Sequence, residues 1–478
     1  MMNTALKSLR GRLIAPYQHD GVAWMLKRET VDQTRGGFLC DEMGLGKTIQ
    51  VIATMLGNPG HKTLIVVPKS IVNQWKEELN RFAPSLTVCV FDGPKRVLNP
   101  DSHVTIAPYS VLVEKGMPKG HRTTLHTVSW GRVVLDEGHE IRNMSSKLYV
   151  SSKNLEAPIR WILSGTPVYN SIRDFVALCG FLGIHRSMVQ GVPQKIRDTY
   201  VMRRTKQDVD RRLELPPCDF QNVELELFPE ERAFYKEVYT SAQKRFKEIL
   251  SHENAGMEFL NMLECFLRAR QALIHPQLFL QGKAKQLGVE SDTWVHKTNK
   301  MDTLFRMIGE HPKEKSLVFC QFMEEMKYIE QGLVNLGHEV FRIDGSVDQA
   351  DRVSRIAKFK SSKKPSVFLI QIKAGGQGLN LQEATRVYIT SPSWNPATEL
   401  QAIARSHRTG QTQRVVVRKL VYKGSEDLPS IEESMMGLQK HKAVVCATVL
   451  NDPSLAAQIP EAKNLSVRSL AQIFELGV

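Results

Sequence analysis

Residues Asp41-Glu42-Met43-Gly44-Leu45-Gly46-Lys47-Thr48 follow the apolar stretch Gly37-Phe38-Leu39-Cys40 and run directly into Ile49-Gln50-Val51-Ile52. The pattern is strand, glycine-bearing loop, helix, and it constrains this chain more than any other feature. A triphosphate needs backbone N–H groups at close approach, a helix N-terminus aimed at its charge, a lysine ammonium near the β/γ-phosphates and a hydroxyl for Mg²⁺. Gly44, Gly46, Lys47 and Thr48 supply all four. The strict G-x-x-x-x-G-K-[ST] form places glycine where this chain has Asp41, so the rest of the chain has to complete the match.

The completing feature is Val133-Val134-Leu135-Asp136-Glu137-Gly138-His139, a β-branched apolar run that ends in paired carboxylates. A carboxylate pair by itself reads as a solvated strand end. Downstream of a phosphate loop it reads as the second half of a triphosphatase site. Asp136 is then expected to hold Mg²⁺, with Thr48 as the hydroxyl donor, while Glu137 orients and deprotonates the attacking water and His139 senses or relays.

A series of further motifs occurs in fixed order: Pro16 to Met25 with Gln18; Ile65-Val66-Val67-Pro68-Lys69-Ser70 followed by Trp75; Ile106-Ala107-Pro108-Tyr109-Ser110; Ser164-Gly165-Thr166-Pro167 with Asn170; Leu317 to Phe322; Arg342 to Ser346; Lys373 to Leu381; and Gln401 to Gln411. In this order the chain resembles the Swi/Snf-type ATPases of helicase superfamily two, over about residues 10 to 436. The resemblance implies two tandem RecA-like α/β lobes, each a doubly wound parallel sheet, with helical insertions between them. It implies ATP and Mg²⁺ as nucleotide and metal, Gln18 as adenine reader, and Arg405 and Arg408 delivered onto the γ-phosphate from the second lobe. Those two arginines are three apart, so a helix would present them on one face, and arginine-finger logic then gates hydrolysis by lobe closure.

Two positions bear comparison with the family pattern. Gly138 is one of the small residues used in the carboxylate box and removes no functional group. Tyr169 stands where many relatives carry glutamine, so a hydrogen bond made by that glutamine does not carry over to this chain, and the phosphate chemistry is untouched.

The 478 residues carry 64 Lys plus Arg against 50 Asp plus Glu, a formal charge of +14 that favours a polyanionic partner through counterion release. Basic clusters stand at Arg203-Arg204-Thr205-Lys206, at Arg211-Arg212, and at Lys358, Lys360, Lys363 and Lys364. The partner that the resemblance implies is double-stranded DNA, gripped through its backbone by Lys69, Lys95, Arg96 and Lys373. A nucleosome or another DNA-bound protein stays open as the object remodelled. Seven scattered cysteines, none in C-x-x-C spacing, support neither structural zinc nor a disulfide framework, and Cys40 and Cys320 read as buried inert thiols.

No apolar signal core opens the chain and no run reaches membrane-spanning length, so the expectation is an intracellular, nearly bare motor. Its compartment is the nucleus in a eukaryotic cell, otherwise a host cell or the bacterial cytoplasm. Alternation of short apolar runs with polar helical stretches divides the chain into residues 1–185 (first lobe), 186–299 (helical insertion and linker), 300–425 (second lobe) and 426–478 (brace and tail). Arg268, Arg270, Gln271, His275 and Pro276 fall in a segment resembling the family's helical insertion. Lys283 to Lys300 reads as linker, and Ser466 as the cap of a tail helix carrying Val467, Leu470, Ile473 and Phe474. The expected activity is ATP-driven translocation along duplex DNA with remodelling of protein–DNA complexes. A strand-separating helicase on DNA or RNA and an inactive scaffold are the alternatives.

Overall fold

The computed structural model describes residues 1–478 apart from 14, 33, 115, 166–171, 192, 210–215, 252–258, 376–378, 409, 438–472 and 475–478. Thr166, Pro167, Tyr169, Asn170, Arg211, Arg212 and Gly376 to Gly378 therefore lie outside the described residues, as do Ser466, Val467 and Leu470 of the tail. The described chain falls into two compact units, one running to Leu215 and the other starting at Pro216.

The first unit is built on β1 (Arg35–Leu39), β2 (Thr63–Val67), β3 (Val88–Val90), β4 (Val104–Pro108), β5 (Arg132–Asp136), β6 (Ile159–Leu163) and β7 (Val201–Met202). They form a parallel sheet in the order β3-β4-β2-β5-β6-β1-β7. Apolar residues run continuously along these strands because both faces are covered. Leu64, Val66, Val133 and Leu135 enter one core with Phe175 and Phe181, while Ile65, Val67 and Val134 enter another with Trp75 and Trp161. Successive residues thus alternate between two cores, as the period-2 geometry of a strand requires.

The second unit carries β8 (Cys218–Leu225), β9 (Ser316–Cys320), β10 (Glu339–Ile343), β11 (Ser366–Gln371), β12 (Arg386–Ile389) and β13 (Val415–Tyr422), again all parallel, in the order β10-β11-β9-β12-β13-β8. One face is covered by a core that includes Leu317, Phe319, Phe368 and Ile370. The other packs on the helices Pro229–Ser251, Phe259–Ile274 and Pro276–Leu287 through Tyr235, Phe246, Met262, Leu273 and Leu278. The expected two parallel-sheet α/β lobes with helical additions are therefore present. β7 lies beyond residue 185 and β8 before residue 300, so each sheet also recruits a strand from the stretch between the expected lobes.

The helix starting at Pro229 has the expected proline and acidic first turn, with Glu231 accepting from the Phe228 N–H at 3.0 Å. The expected linker from Lys283 is partly helical. Capped by His275, the helix Pro276–Leu287 continues until Gly288, whose left-handed backbone (φ 70°) ends it. From the tail, Ile473 and Phe474 are buried against the second unit, where Gln243 donates to the Phe474 carbonyl at 2.8 Å and the rings of Tyr239 and Phe246 pack at a tilt against the Phe474 ring. Cys40 and Cys320 are fully buried, and burial pushes the Cys40 thiol up to about 12. No helix among the described residues is long and apolar enough to cross a membrane.

Candidate nucleotide site

In a parallel sheet the loops that follow the strands share one edge, so functional residues distant in sequence converge there. In the first unit that edge gathers the loop after β1, Lys69 after β2, Lys95 and Arg96 after β3, Asp136-Glu137 at the end of β5, and Ser164-Gly165 after β6.

The loop Asp41–Gly46 turns through Gly44 (φ 92°) and Gly46 (φ 77°), a region where an L side chain is strained. Gly46 precedes the helix Lys47–Gly57 and has no side chain with which to cap it, which leaves the first N–H groups of the helix available to an anion. A β-carbon at position 46 would also lie 2.6 Å from Nε2 of Gln18. The buried Gln18 amide donates to the Leu45 carbonyl at 3.3 Å, and Tyr17 donates to the same carbonyl at 3.1 Å. Gln18 thus abuts the loop directly. Lys47 donates through Nζ to the Asp41 carbonyl at 2.7 Å and the Glu42 carbonyl at 3.4 Å, so its ammonium folds back over the loop. Thr48 follows as the second residue of the helix.

Asp136 ends β5 with its carboxylate oriented by two donors: the Trp75 indole to Oδ2 at 2.8 Å and the Glu137 backbone N–H to Oδ1 at 2.9 Å. Burial first, and the Glu137 charge second, push the Asp136 carboxyl up to about 6. A cation beside it would offset both costs. Tyr109 fixes the same residue from the backbone side, donating to its carbonyl at 2.8 Å.

Glu137 has φ 50° and ψ 47° and is the one non-glycine residue with positive φ among the described residues. Such a conformation costs about 1–2 kcal/mol and is sustained by its surroundings. Its Oε2 lies 3.4 Å from Nδ1 of His139, and that nitrogen is 3.5 Å from Ser164 Oγ. Burial pulls His139 down to about 4, so at neutral pH it is an uncharged hydrogen-bonding group. At Gly138 a β-carbon would meet Ile162 Cγ2 at 2.6 Å, so the position is sterically tighter than the chemistry of the box suggests.

The second unit places Arg405 and Arg408 differently from the sequence expectation. The helix Pro396–Ile403 ends before either arginine, and the two do not share a helical face. Beyond Ile403 the chain tightens into bonds from Arg405 N–H to the Ala402 carbonyl (3.1 Å) and from Arg408 N–H to the Ser406 carbonyl (3.2 Å). The Arg405 carbonyl accepts from Leu381 N–H at 3.0 Å and Ser406 Oγ donates to the Ala384 carbonyl at 2.5 Å. The Leu381 bond takes a carbonyl that a continuing helix would use, while His407 N–H still donates to the Ile403 carbonyl at 3.0 Å. Arg405 is buried and Arg408 half-buried in the resulting turn. Lys373 is exposed on the short helix Ile372–Gly375 after β11.

Among the expected backbone grips of the first unit, the Lys69 side chain is 71% exposed and 4.0 Å from Asp92, which brings it beside the loop carrying the exposed Lys95. Arg96 is more committed: it donates to the Gly93 carbonyl at 3.2 Å and pairs with Glu114 at 3.6 Å. The cluster Arg203-Arg204 departs from its reading as basic surface, because both guanidinium groups turn inward against the phosphate loop. That contact and the Trp75 bond to Asp136 are the site features that sequence reasoning missed. Trp75 appears in sequence as part of a motif, but its partner is 61 residues away and no spacing announces it.

A phosphate loop with its lysine, a strand-end carboxylate pair, and two parallel α/β units define the class as a two-unit phosphate-loop protein. The family model described as SNF2-related domain matches residues 17–278 and that described as helicase conserved C-terminal domain matches residues 299–410. The chain belongs to the SNF2 family of helicase-type ATPases.

It is 28% identical to the ISWI chromatin-remodeling complex ATPase ISW1 of Saccharomyces cerevisiae, over 90% of this chain and 40% of that protein. It is 28% identical to the "probable global transactivator" of Orgyia pseudotsugata multicapsid polyhedrosis virus, over 92% of each. The Sulfolobus solfataricus SWI2/SNF2 ATPase core in complex with dsDNA is 26% identical, covering 98% of both chains, with a TM-score of 0.41. The chain spans less than half the length of the yeast ATPase and of the other eukaryotic repair and transcription relatives it matches.

Proposed function

We propose that this chain is the motor of an ATP-dependent double-stranded DNA translocase that remodels protein–DNA complexes. The observation that carries the reading is the shared edge of the first sheet. Lys47 on its uncapped helix, Asp136 held by Trp75, and Glu137 in a strained backbone stand along one edge with the exposed Lys69 and Lys95. Nucleotide chemistry and phosphate-backbone contact then lie on loops of the same sheet, which lets one bias the other.

In this reading Gly44, Gly46 and the helix N-terminus cradle the phosphates, Lys47 leaves the loop carbonyls for the β/γ-phosphates, and Gln18 reads the base. Thr48 and Asp136 are hard oxygen donors that suit Mg²⁺, which would supply charge neutralisation at the phosphates. Glu137 takes the proton of the attacking water, and neutral His139 orients the Glu137 carboxylate. Arg405 and Arg408 neutralise the transferring phosphoryl group on closure of the units, so that hydrolysis follows closure. Lys69, Lys95, Arg96 and Lys373 track the duplex backbone without reading bases. The net charge of +14 and the kinship with remodelling ATPases support a DNA partner.

Steady-state ATP hydrolysis with no nucleic acid, single-stranded DNA, duplex DNA and duplex RNA tests the reading, with Lys47→Ala and Glu137→Gln as controls. Duplex DNA is expected to stimulate turnover selectively, and both variants to abolish the stimulation. Stimulation by single strands or RNA would move the assignment to a strand-separating helicase. Absence of hydrolysis in every condition would make the chain a binding scaffold.

A further inference from the structure

The segment that leaves the first unit runs along the start of the phosphate loop. β7 pairs with β1 in parallel, with Val201 beside Phe38 and Met202 beside Leu39. Past the strand the pairing goes on into the loop, since Cys40 N–H donates to the Met202 carbonyl at 2.7 Å and Glu42 N–H to the Arg204 carbonyl at 2.8 Å. The Lys206 N–H then donates to the Glu42 carboxylate at 2.7 Å.

Side chains reinforce this ladder. Arg203 donates to the carbonyls of Cys40 and Gly165, both at 3.0 Å, joining the start of the loop to the segment after β6. Arg204 grips the Asp41 carboxylate with two nitrogens, Nε to Oδ1 at 2.8 Å and a terminal nitrogen to Oδ2 at 2.5 Å. The same terminal nitrogen reaches Gln50 Oε1 at 2.9 Å, the other donates to the Tyr17 carbonyl, and Gln50 returns a hydrogen bond to Asp41 Oδ2 at 3.0 Å. Asp41 and Gln50 are fully buried. The clamp also dictates a glycine nearby, because a β-carbon at Gly21 would lie 1.9 Å from Gln50 Oε1 and 2.8 Å from Arg204.

We infer that Arg204 is a positioning residue of the nucleotide site: acting through Asp41 and Gln50, it holds the phosphate loop in its receptive conformation and latches the inter-unit connector to that loop. This rests on the reading of the site as a triphosphatase and deepens it. It accounts for the aspartate found where the strict motif has glycine, since Asp41 points away from the ligand side as an anchor while its carbonyl receives Lys47.

The test uses the full chain and a fluorescent ADP with Mg²⁺ as probe. Its Kd and the KM and kcat for ATP are measured well below the melting temperature of each variant. Arg204→Gln should raise Kd and KM about tenfold, the order expected for loss of a forked, charge-assisted grip. Arg204→Lys should recover only part of this, because one ammonium cannot reproduce the forked grip on both Asp41 oxygens together with the bond to the Tyr17 carbonyl. Asp41→Asn should shift Kd in the same direction by a smaller factor. A lowered melting temperature with Kd and KM within twofold of wild type would make Arg204 purely structural and overturn the inference. Should Arg204→Gln fail to fold, Asp41→Asn decides by the same criterion. A wild-type chain that binds no ADP would overturn the triphosphatase reading and this inference with it, whereas unchanged variants of a binding wild type would overturn this inference alone.

Discussion

The two units share a parallel-sheet plan yet secure their functional loops by different means. In the first unit, side chains do the holding: the half-buried Arg204 on the buried Asp41, Trp75 on Asp136, Tyr109 on the Asp136 carbonyl. In the second, the backbone of the arginine turn is held by neutral groups, with Leu381 N–H on the Arg405 carbonyl, Ser406 Oγ on the Ala384 carbonyl, and Gln411 Nε2 donating to the carbonyls of Gln382 (2.8 Å) and Ser406 (3.2 Å). A buried ionic grip is costly to form and costlier to break on one side, which favours a loop with one defined state. Neutral bonds cost less to exchange. On the proposed function, the first unit receives the nucleotide and the arginine turn of the second sets the rate of hydrolysis.

The largest effect that can break this contrast concerns the arginine turn. Arg408→Ala and Arg405→Ala are expected to lower kcat for ATP by about 10³-fold, the magnitude of an arginine finger, while leaving ADP affinity near wild type. Single-turnover hydrolysis paired with ADP titration separates the two quantities, and a parallel loss of affinity would place reception in both units. Next comes Trp75→Phe, which keeps an aromatic ring and deletes the N–H that orients Asp136. About a tenfold fall in kcat is expected, as for loss of an outer partner of a metal-binding carboxylate, read as a shifted Mg²⁺ dependence of turnover. Unchanged Mg²⁺ dependence would reduce Trp75 to packing.

A smaller effect is expected at Lys69. On the proposed function its exposed ammonium is a point contact for phosphate, so Lys69→Ala should reduce the slope of log affinity for duplex DNA against log salt by about 1, uniformly across sequences. An identical slope would remove it from the interface. The smallest effect sharpens the second unit alone. His275 caps a helix by accepting the Gln277 N–H at 3.1 Å, and burial pulls it from 6.5 down to about 4. A depressed histidine gives stability that is full above the unfolded pKa of 6.5 and is lost as pH falls toward 4. His275→Asn keeps a capping acceptor without a titrating ring, so the denaturation midpoint of the variant should fall less steeply over that window.

What the sequence made legible follows the range of the interactions. β2 coincides with the apolar run Thr63 to Val67 and β12 with Arg386 to Ile389, because strands covered on both faces write their burial as contiguous apolar residues. The phosphate loop was equally legible, its elements being adjacent in the chain. The reason for Asp41 was not, since its guanidinium partner is 163 residues away. Nor was the turn at Arg405 and Arg408, whose three-residue spacing suits a helix until the N–H of Leu381, distant in sequence, takes the Arg405 carbonyl. Local patterns announce elements; distant buried partners decide how loops between them are set.

The claim that most needs a direct test is motion along duplex DNA. A third strand bound to one end of a long duplex is displaced by any motor that tracks along it, without strand separation of the duplex itself. Displacement is expected to require ATP, to fail with a non-hydrolysable analogue and with Glu137→Gln, and to start later as the triplex is moved further from the loading site. Displacement without ATP, or none at all despite duplex-stimulated hydrolysis, would contradict it.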